Sequence, residues 1–178
     1  MNSPSVKCEI LEILKLSGIK AGDAVLDFGC GPGEYTVPAA AIVGNRGIVY
    51  AFDTDMRKLE NVKRKAEDRK LENVVVLQAA RNGSIGVEDE SLAVVLLFDV
   101  LHEYYFPSVE SRRDVLCDIH RVLKPNALLL VHPTHIDQSK LVNEIQRAGF
   151  QFQDTYTGNL MHDGNCRRSS ILTFRRLP

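Results

Sequence analysis

A chain of 178 residues, 44% hydrophobic and 25% charged, has enough apolar material for a continuous core, and its formal net charge of −1 gives no general attraction for nucleic acid or an anionic membrane. No apolar run reaches the length of a membrane span, and the start, MNSPSVKCEI, lacks the apolar stretch of a secretion signal. The four cysteines, at 8, 30, 117 and 166, are scattered with no C-x-x-C pair, so free thiols in a cytoplasmic chain are expected. Val6, Ile10, Ile13 and Leu14 recur at helical spacing and predict an amphipathic helix over 5–16, ending before Gly18. The apolar run 24–28 predicts a buried strand that breaks into a glycine-rich turn, and 34–43 has the content of a helix, with Pro32 tolerated at its start. A turn at 44–47 leads to a second buried strand, 48–52, which Asp53 ends. Asp55 is placed to cap a helix over 56–70, whose Met56, Leu59, Val62 and Ala66 share one face. Strands follow at 74–77 and 92–98, separated by a polar segment, 81–90, with room only for a short helical turn. A helix over 108–123 is stopped by Lys124-Pro125-Asn126, and a strand at 127–131 and a helix over 139–148 come next. Two last strands, 150–157 and 169–174, are joined by the polar segment 158–168. The alternation implies one α/β domain over 1–178, with a mostly parallel sheet, a terminal antiparallel hairpin, and the helix within 1–19 packed on the core.

The most informative stretch is Leu26-Asp27-Phe28-Gly29-Cys30-Gly31-Pro32-Gly33. A strand entering a glycine loop ahead of a helix is how α/β proteins build a nucleotide site at the carboxyl end of a sheet. The dinucleotide fingerprint, G-x-G-x-x-G, does not fit, because the third glycine comes one residue early and Glu34 follows it. Asp27 would also set a like charge against a pyrophosphate lodged on the loop; it suits a ligand with a cationic part. Asp53, at the end of the second strand, is placed to accept the hydroxyls of a ribose.

This string closely resembles the first motif of class I S-adenosylmethionine-dependent methyltransferases, a resemblance that covers roughly residues 20–178 and is strongest at 24–60 and 92–131. It implies a Rossmann-like doubly wound sheet of seven strands, five parallel plus a C-terminal antiparallel hairpin, with helices on both faces. It further implies S-adenosylmethionine as cofactor, held by Asp27, Gly29, Cys30, Gly31, Gly33, Asp53, Thr54, Ala79, Ala80 and Phe98. Many members carry an acidic residue for the adenine amino group after the third strand; here that position is Ala79, leaving backbone groups at 79–80 to read the adenine edge. The loop from Phe98 to Tyr105 is similar to one that lines cofactor and substrate, and His102 is its candidate base. Tyr104 and Tyr105 either wall the pocket or anchor the loop. His132 and His135 follow the fifth strand and could join His102 around one opening, but their spacing lacks a regular ligand framework and no metal is expected. The positive run on 56–70 is interleaved with acids and reads as a solvated helix face.

Methyl transfer from a sulfonium releases a neutral thioether and needs alignment more than acid catalysis, so a clear cofactor signature with a faint catalytic one is its expected trace. The expected function is methyl transfer to a small-molecule acceptor, with no nucleic acid or membrane partner. The alternatives are a non-catalytic module that binds S-adenosylmethionine or S-adenosylhomocysteine, and an NAD-dependent oxidoreductase. Acceptor and oligomeric state are open.

Overall fold

The structure, a computed structural model, describes residues 8–79 and 84–178. Its elements in chain order are α1 (Ile10–Leu16), β1 (Ala24–Phe28), α2 (Thr36–Val43), a short 3-10 turn at Gly44–Arg46, β2 (Ile48–Asp53), α3 (Met56–Asp68), β3 (Val74–Gln78), β4 (Leu92–Phe98), α4 (Val109–Val122), β5 (Leu123–His132), α5 (Gln138–Arg147), β6 (Phe150–His162) and β7 (Asn165–Arg176). The sheet has seven strands in the order β3-β2-β1-β4-β5-β7-β6. The first five run parallel, while β7 pairs antiparallel with both β5 and β6. This is the Rossmann-like arrangement expected, with its order reversing between β1 and β4, where such sheets open a crevice at their carboxyl ends.

Strand alternation sorts the two faces. On one face Leu26, Phe28, Phe52 and Leu97 pack with Leu116 and Ile119 of α4 and Leu141 and Ile145 of α5. On the other, Val25, Val49 and Leu96 meet Ile13 and Leu14 of α1 and Ala39, Ala40 and Val43 of α2, and Ala51 meets Leu59 and Val62 of α3. The helix starts follow local rules. The carboxylate of Asp55 accepts from Arg57 N, as the sequence implied, and Ser108 and Ser111 form a reciprocal cap on α4.

Three expectations change. Helix α1 begins at Ile10, and residues 5–7 of the expected helix lie outside the described residues. The segment 158–168 is not a loop: β6 and β7 continue through it to a two-residue turn, Asp163-Gly164, whose positive φ angles of 48° and 70° suit a tight hairpin turn. The expectation of four free thiols also fails, because Cys8 and Cys166 form a disulfide and only Cys30 and Cys117 are free. The reason is the longer hairpin, which brings Cys166 back beside the segment before α1, where Glu9 N donates to Asn159 O at 2.8 Å. No helix among the described residues is long and apolar enough to cross a membrane.

One buried charge ties the α4–α5 face together. Arg112 is 1% exposed and its guanidinium forks onto Glu144, with Nε–Oε2 at 2.7 Å and Nη2–Oε1 at 2.9 Å, while Nη1 donates to the Phe106 carbonyl at 2.8 Å. These bonds hold the Glu144 carboxyl below the usual carboxylate range. Removing one partner of such a pair leaves the other desolvated and unpaired, so Arg112→Ala is expected to lower unfolding free energy by about 3 kcal/mol in a denaturant titration. A loss within experimental error would show that Glu144 is solvated without its partner.

Candidate functional site

The glycine loop after β1 is folded by its neighbours. Gly29, Gly31 and Gly33 all have positive φ, at 71°, 53° and 83°. A Cβ at Gly29 would sit 2.6 Å from Val100 Cγ2, and one at Gly33 would sit 2.9 Å from Val62 Cγ2, so side chains at these two positions would collide with packed neighbours. Gly31 differs: nothing lies within 4 Å of where its Cβ would be. The N–H groups of the loop are already used. Gly29 N and Cys30 N both donate to the Phe52 carbonyl, at 2.7 and 3.0 Å, Gly33 N donates to Cys30 O at 3.0 Å, and Gly31 N donates to Asp53 Oδ2 at 3.0 Å. Since Pro32 has no N–H, residues 29–33 offer no free donor to cradle a phosphate, which counts against a dinucleotide.

Asp53 is the second anchor. Besides Gly31 N, its carboxylate takes Asp55 N on Oδ1 at 3.0 Å, and Lys58 Nζ lies 4.0 Å from Oδ2. Beside it opens a cavity of about 590 Å³, within the range of small-ligand sites. Phe28 and Phe52, stacked at 4.9 Å, form one apolar wall, with Val100 and Phe106 completing it. The charged lining among the described residues is acidic: Asp53, Asp99, Asp114 and Asp118 against Lys58 alone. Such a wall favours a ligand carrying positive charge and disfavours one carrying phosphates.

The cavity gathers four of the expected cofactor residues, Gly29, Asp53, Thr54 and Ala79. The Ala79 N–H already donates to Asp53 O at 3.0 Å and is not available to an adenine edge. Ala80 lies outside the described residues. Asp27, Cys30, Gly31, Gly33 and Phe98 are not on the cavity wall, and register explains the two strand residues. Phe28 pairs across from Phe52 and Leu97, so Asp27 and Phe98, one residue away, point to the opposite face. There Asp27 accepts from Thr36 Oγ1 at 2.6 Å under the loop, and Phe98 packs edge-on against Tyr35 at 4.6 Å. Cys30 is buried against α3, where desolvation pushes its thiol well above the ordinary range.

His102 is also buried and off the wall. Its Nδ1 accepts from Tyr104 N at 3.3 Å, and its Nε2 lies 3.7 Å from Asp99 Oδ1, so both ring nitrogens already face protein groups. Tyr105 reaches the cavity and packs on His102 at 4.8 Å, whereas Tyr104 projects outward. Of the two later histidines, His135 meets the His102 ring at 5.6 Å, whereas His132 pairs with Ser169 Oγ at 2.7 Å; burial pushes the His132 pKa down to about 4. Sequence reasoning missed Asp114, Asp118 and Phe106 on the wall. Asp114 and Asp118 share a helix face at i, i+4 spacing, a signal visible only once the opening of α4 toward the cavity is known.

Residues 26–131 match the family described as a methyltransferase domain. The chain belongs to that family. This methyltransferase domain is 31% identical over 151 residues to a probable cobalt-precorrin-6B C(15)-methyltransferase (decarboxylating) of Sulfurisphaera tokodaii, covering 83% of the chain and 73% of that protein. It is 27% identical to a demethylmenaquinone methyltransferase of Lactobacillus johnsonii, covering 75% of the chain and 51% of that protein. The chain spans about half the length of the first curated relatives it matches, from 38% to 56%. A solved SAM-dependent methyltransferase from Aquifex aeolicus superposes with a TM-score of 0.74 over 96% of this chain and 90% of that one, at 22% identity, a likeness of fold.

Asp27 supplies a pH test of the domain's foundation. Burial raises its pKa from 3.8 to about 6, against the lowering effect of the Thr36 bond. Between these values the folded chain holds a proton that the unfolded chain has lost, so this group makes stability fall as pH rises from about 4 to about 6, by about 3 kcal/mol at most. Asp27→Asn should remove that fall. In denaturant titrations from pH 4 to 7, the stability of the variant relative to the parent is expected to rise with pH; a difference constant across the range would contradict this assignment.

Proposed function

We propose that this domain binds S-adenosylmethionine in the cavity at the carboxyl ends of β1, β2 and β4 and transfers its methyl group to a small-molecule acceptor. The acidic, phosphate-averse cavity beside a glycine loop with no free donors carries the reading. When bound, the cofactor supplies an electrophilic methyl on a sulfonium and leaves as a neutral thioether. Asp53 is the group for the ribose hydroxyls, since each of its oxygens has a lone pair beyond its backbone bond. Phe28, Phe52, Val100 and Phe106 give the adenosine an apolar wall. Gly31 leaves the space above the loop clear. Asp27 acts indirectly, by holding Thr36 at the start of α2, and His102 by setting the loop that carries Val100 and Tyr105.

A small acceptor is supported by the relatives, whose names specify demethylmenaquinone and a cobalt precorrin, and by the net charge of −1, which supplies no footprint for nucleic acid. With His102 buried and off the cavity wall, the rate enhancement rests on alignment in the cavity. A second reading, a module that binds without turnover, draws on Ala79, which offers neither a carboxylate nor a free N–H.

Calorimetry with S-adenosylhomocysteine tests binding. Asp53→Asn, checked for native folding by circular dichroism, is expected to bind at least about tenfold more weakly through loss of a charge-assisted hydrogen bond. Undiminished binding would displace Asp53 from the site, and NAD binding without S-adenosylhomocysteine binding would overturn the reading. A methyl-release assay on reduced quinones and tetrapyrroles separates the two remaining cases: turnover supports the enzyme, and tight binding with no turnover on any acceptor supports the module.

A further inference from the structure

At the rim of the cavity three side chains from distant parts of the chain converge. Asp99 follows β4, His135 lies in the loop after β5, and His162 ends β6. One donor atom from each lies within 4.8 Å of the other two, and His162 Nδ1 is 3.1 Å from Asp99 Oδ2. We propose that Asp99, His135 and His162 form a binding site for one divalent transition-metal ion, with Zn²⁺ as the representative.

Four observations carry it. The ligand atoms are close to the spacing an ion needs: at bond lengths of about 2.0–2.2 Å, tetrahedral ligands stand roughly 3.4 Å apart, so no pair need contract by more than about 1.4 Å from the 4.8 Å limit. His162 Nδ1 is fully buried and makes no hydrogen bond, yet it is held 3.1 Å from Asp99 Oδ2, so an unsatisfied ring nitrogen stands beside the carboxylate. Asp99 and His135 both hold left-handed backbone angles, φ 59° and 56°, unusual for residues with side chains and concentrated at functional sites. Finally, the outer contacts orient the carboxylate. Thr134 Oγ1 donates to Asp99 Oδ1 and His102 Nε2 faces that same oxygen, which leaves Oδ2 for the ion.

The donor set selects the metal class. Two imidazoles and one carboxylate suit Zn²⁺, Fe²⁺, Co²⁺ or Ni²⁺; Mg²⁺ and Ca²⁺ prefer oxygen throughout. Three protein ligands leave a coordination position open, the pattern of catalytic sites. His135 is exposed and Asp99 is part of the cavity wall, so an anionic oxygen or sulfur of a molecule in the cavity could take that position. Occupancy by the ion does not depend on what fills the cavity.

The test uses the full chain, stripped with chelator and dialysed. Calorimetric titration with Zn²⁺ should show about one equivalent bound, and elemental analysis should recover it after desalting. His135→Ala, at an exposed position where the fold is not at stake, and His162→Ala should each weaken binding at least about tenfold. His120→Gln, on α4 away from the cluster, should bind Zn²⁺ like the parent. Co²⁺ should give visible ligand-field bands that both cluster variants lose. Failure of the parent to take up Zn²⁺ would overturn the site, as would full uptake by both cluster variants or an equal loss in His120→Gln. S-adenosylhomocysteine binding measured on the same samples reports separately on the cavity.

Discussion

The site rests on one carboxylate. Asp53, at the last position of β2, accepts the backbone N–H of Gly31 from the neighbouring loop and that of Asp55 at the cap of α3. Parallel pairing sets β1 beside β2 with Phe28 opposite Phe52, and the bond from Gly31 then fixes how the chain leaves β1. Together with the Phe52 carbonyl, which takes two more loop N–H groups, it turns the loop inward on the protein. A phosphate-binding loop does the opposite and directs its N–H groups at the ligand. The same three glycines therefore build a different kind of site, in which a carboxylate faces the cavity and anions are unwelcome.

Strand periodicity decides the rest. Because side chains alternate, a shift of one residue moves a group from the cavity to the far layer. Phe28 and Phe52 wall the cavity, while Asp27, next in the chain, is sealed under α2 with Thr36. Its raised pKa is the cost of placing a carboxylate in that layer without a cation. The membership in the methyltransferase domain family, the acidic lining and the inward-turned loop agree with one another, and each follows from a different level of structure.

Much of this was legible in the chain. The strand–loop–helix unit at 24–43, the acid at 53 and the cap at 55 depend on local backbone rules, and each lies where expected. The parallel direction of the first five strands follows from their alternation with helices, whereas their order in the sheet does not. What was hidden depends on register or on distant encounters. The side that Phe98 takes is fixed only by the pairing of Leu97 with Phe28. The polar composition of 158–168 hides the outer half of the hairpin, although its Asp163-Gly164 turn is a recognisable signal; an edge strand with one solvated face need not look apolar. That longer hairpin delivers both Cys166 to Cys8 and His162 to Asp99, encounters no spacing rule could anticipate. Arg112 reads as a surface residue until Glu144 arrives from the next helix.

The proposed function stands or falls with the cavity beside Asp53 as the cofactor site. A crystal structure of the protein with S-adenosylhomocysteine tests it most directly. The nucleoside is expected in the cavity against Phe28 and Phe52, with its ribose hydroxyls on Asp53 and the bond from Gly31 to Asp53 intact. A nucleoside bound elsewhere on the protein, or a loop turned outward with its N–H groups on the ligand, would contradict it.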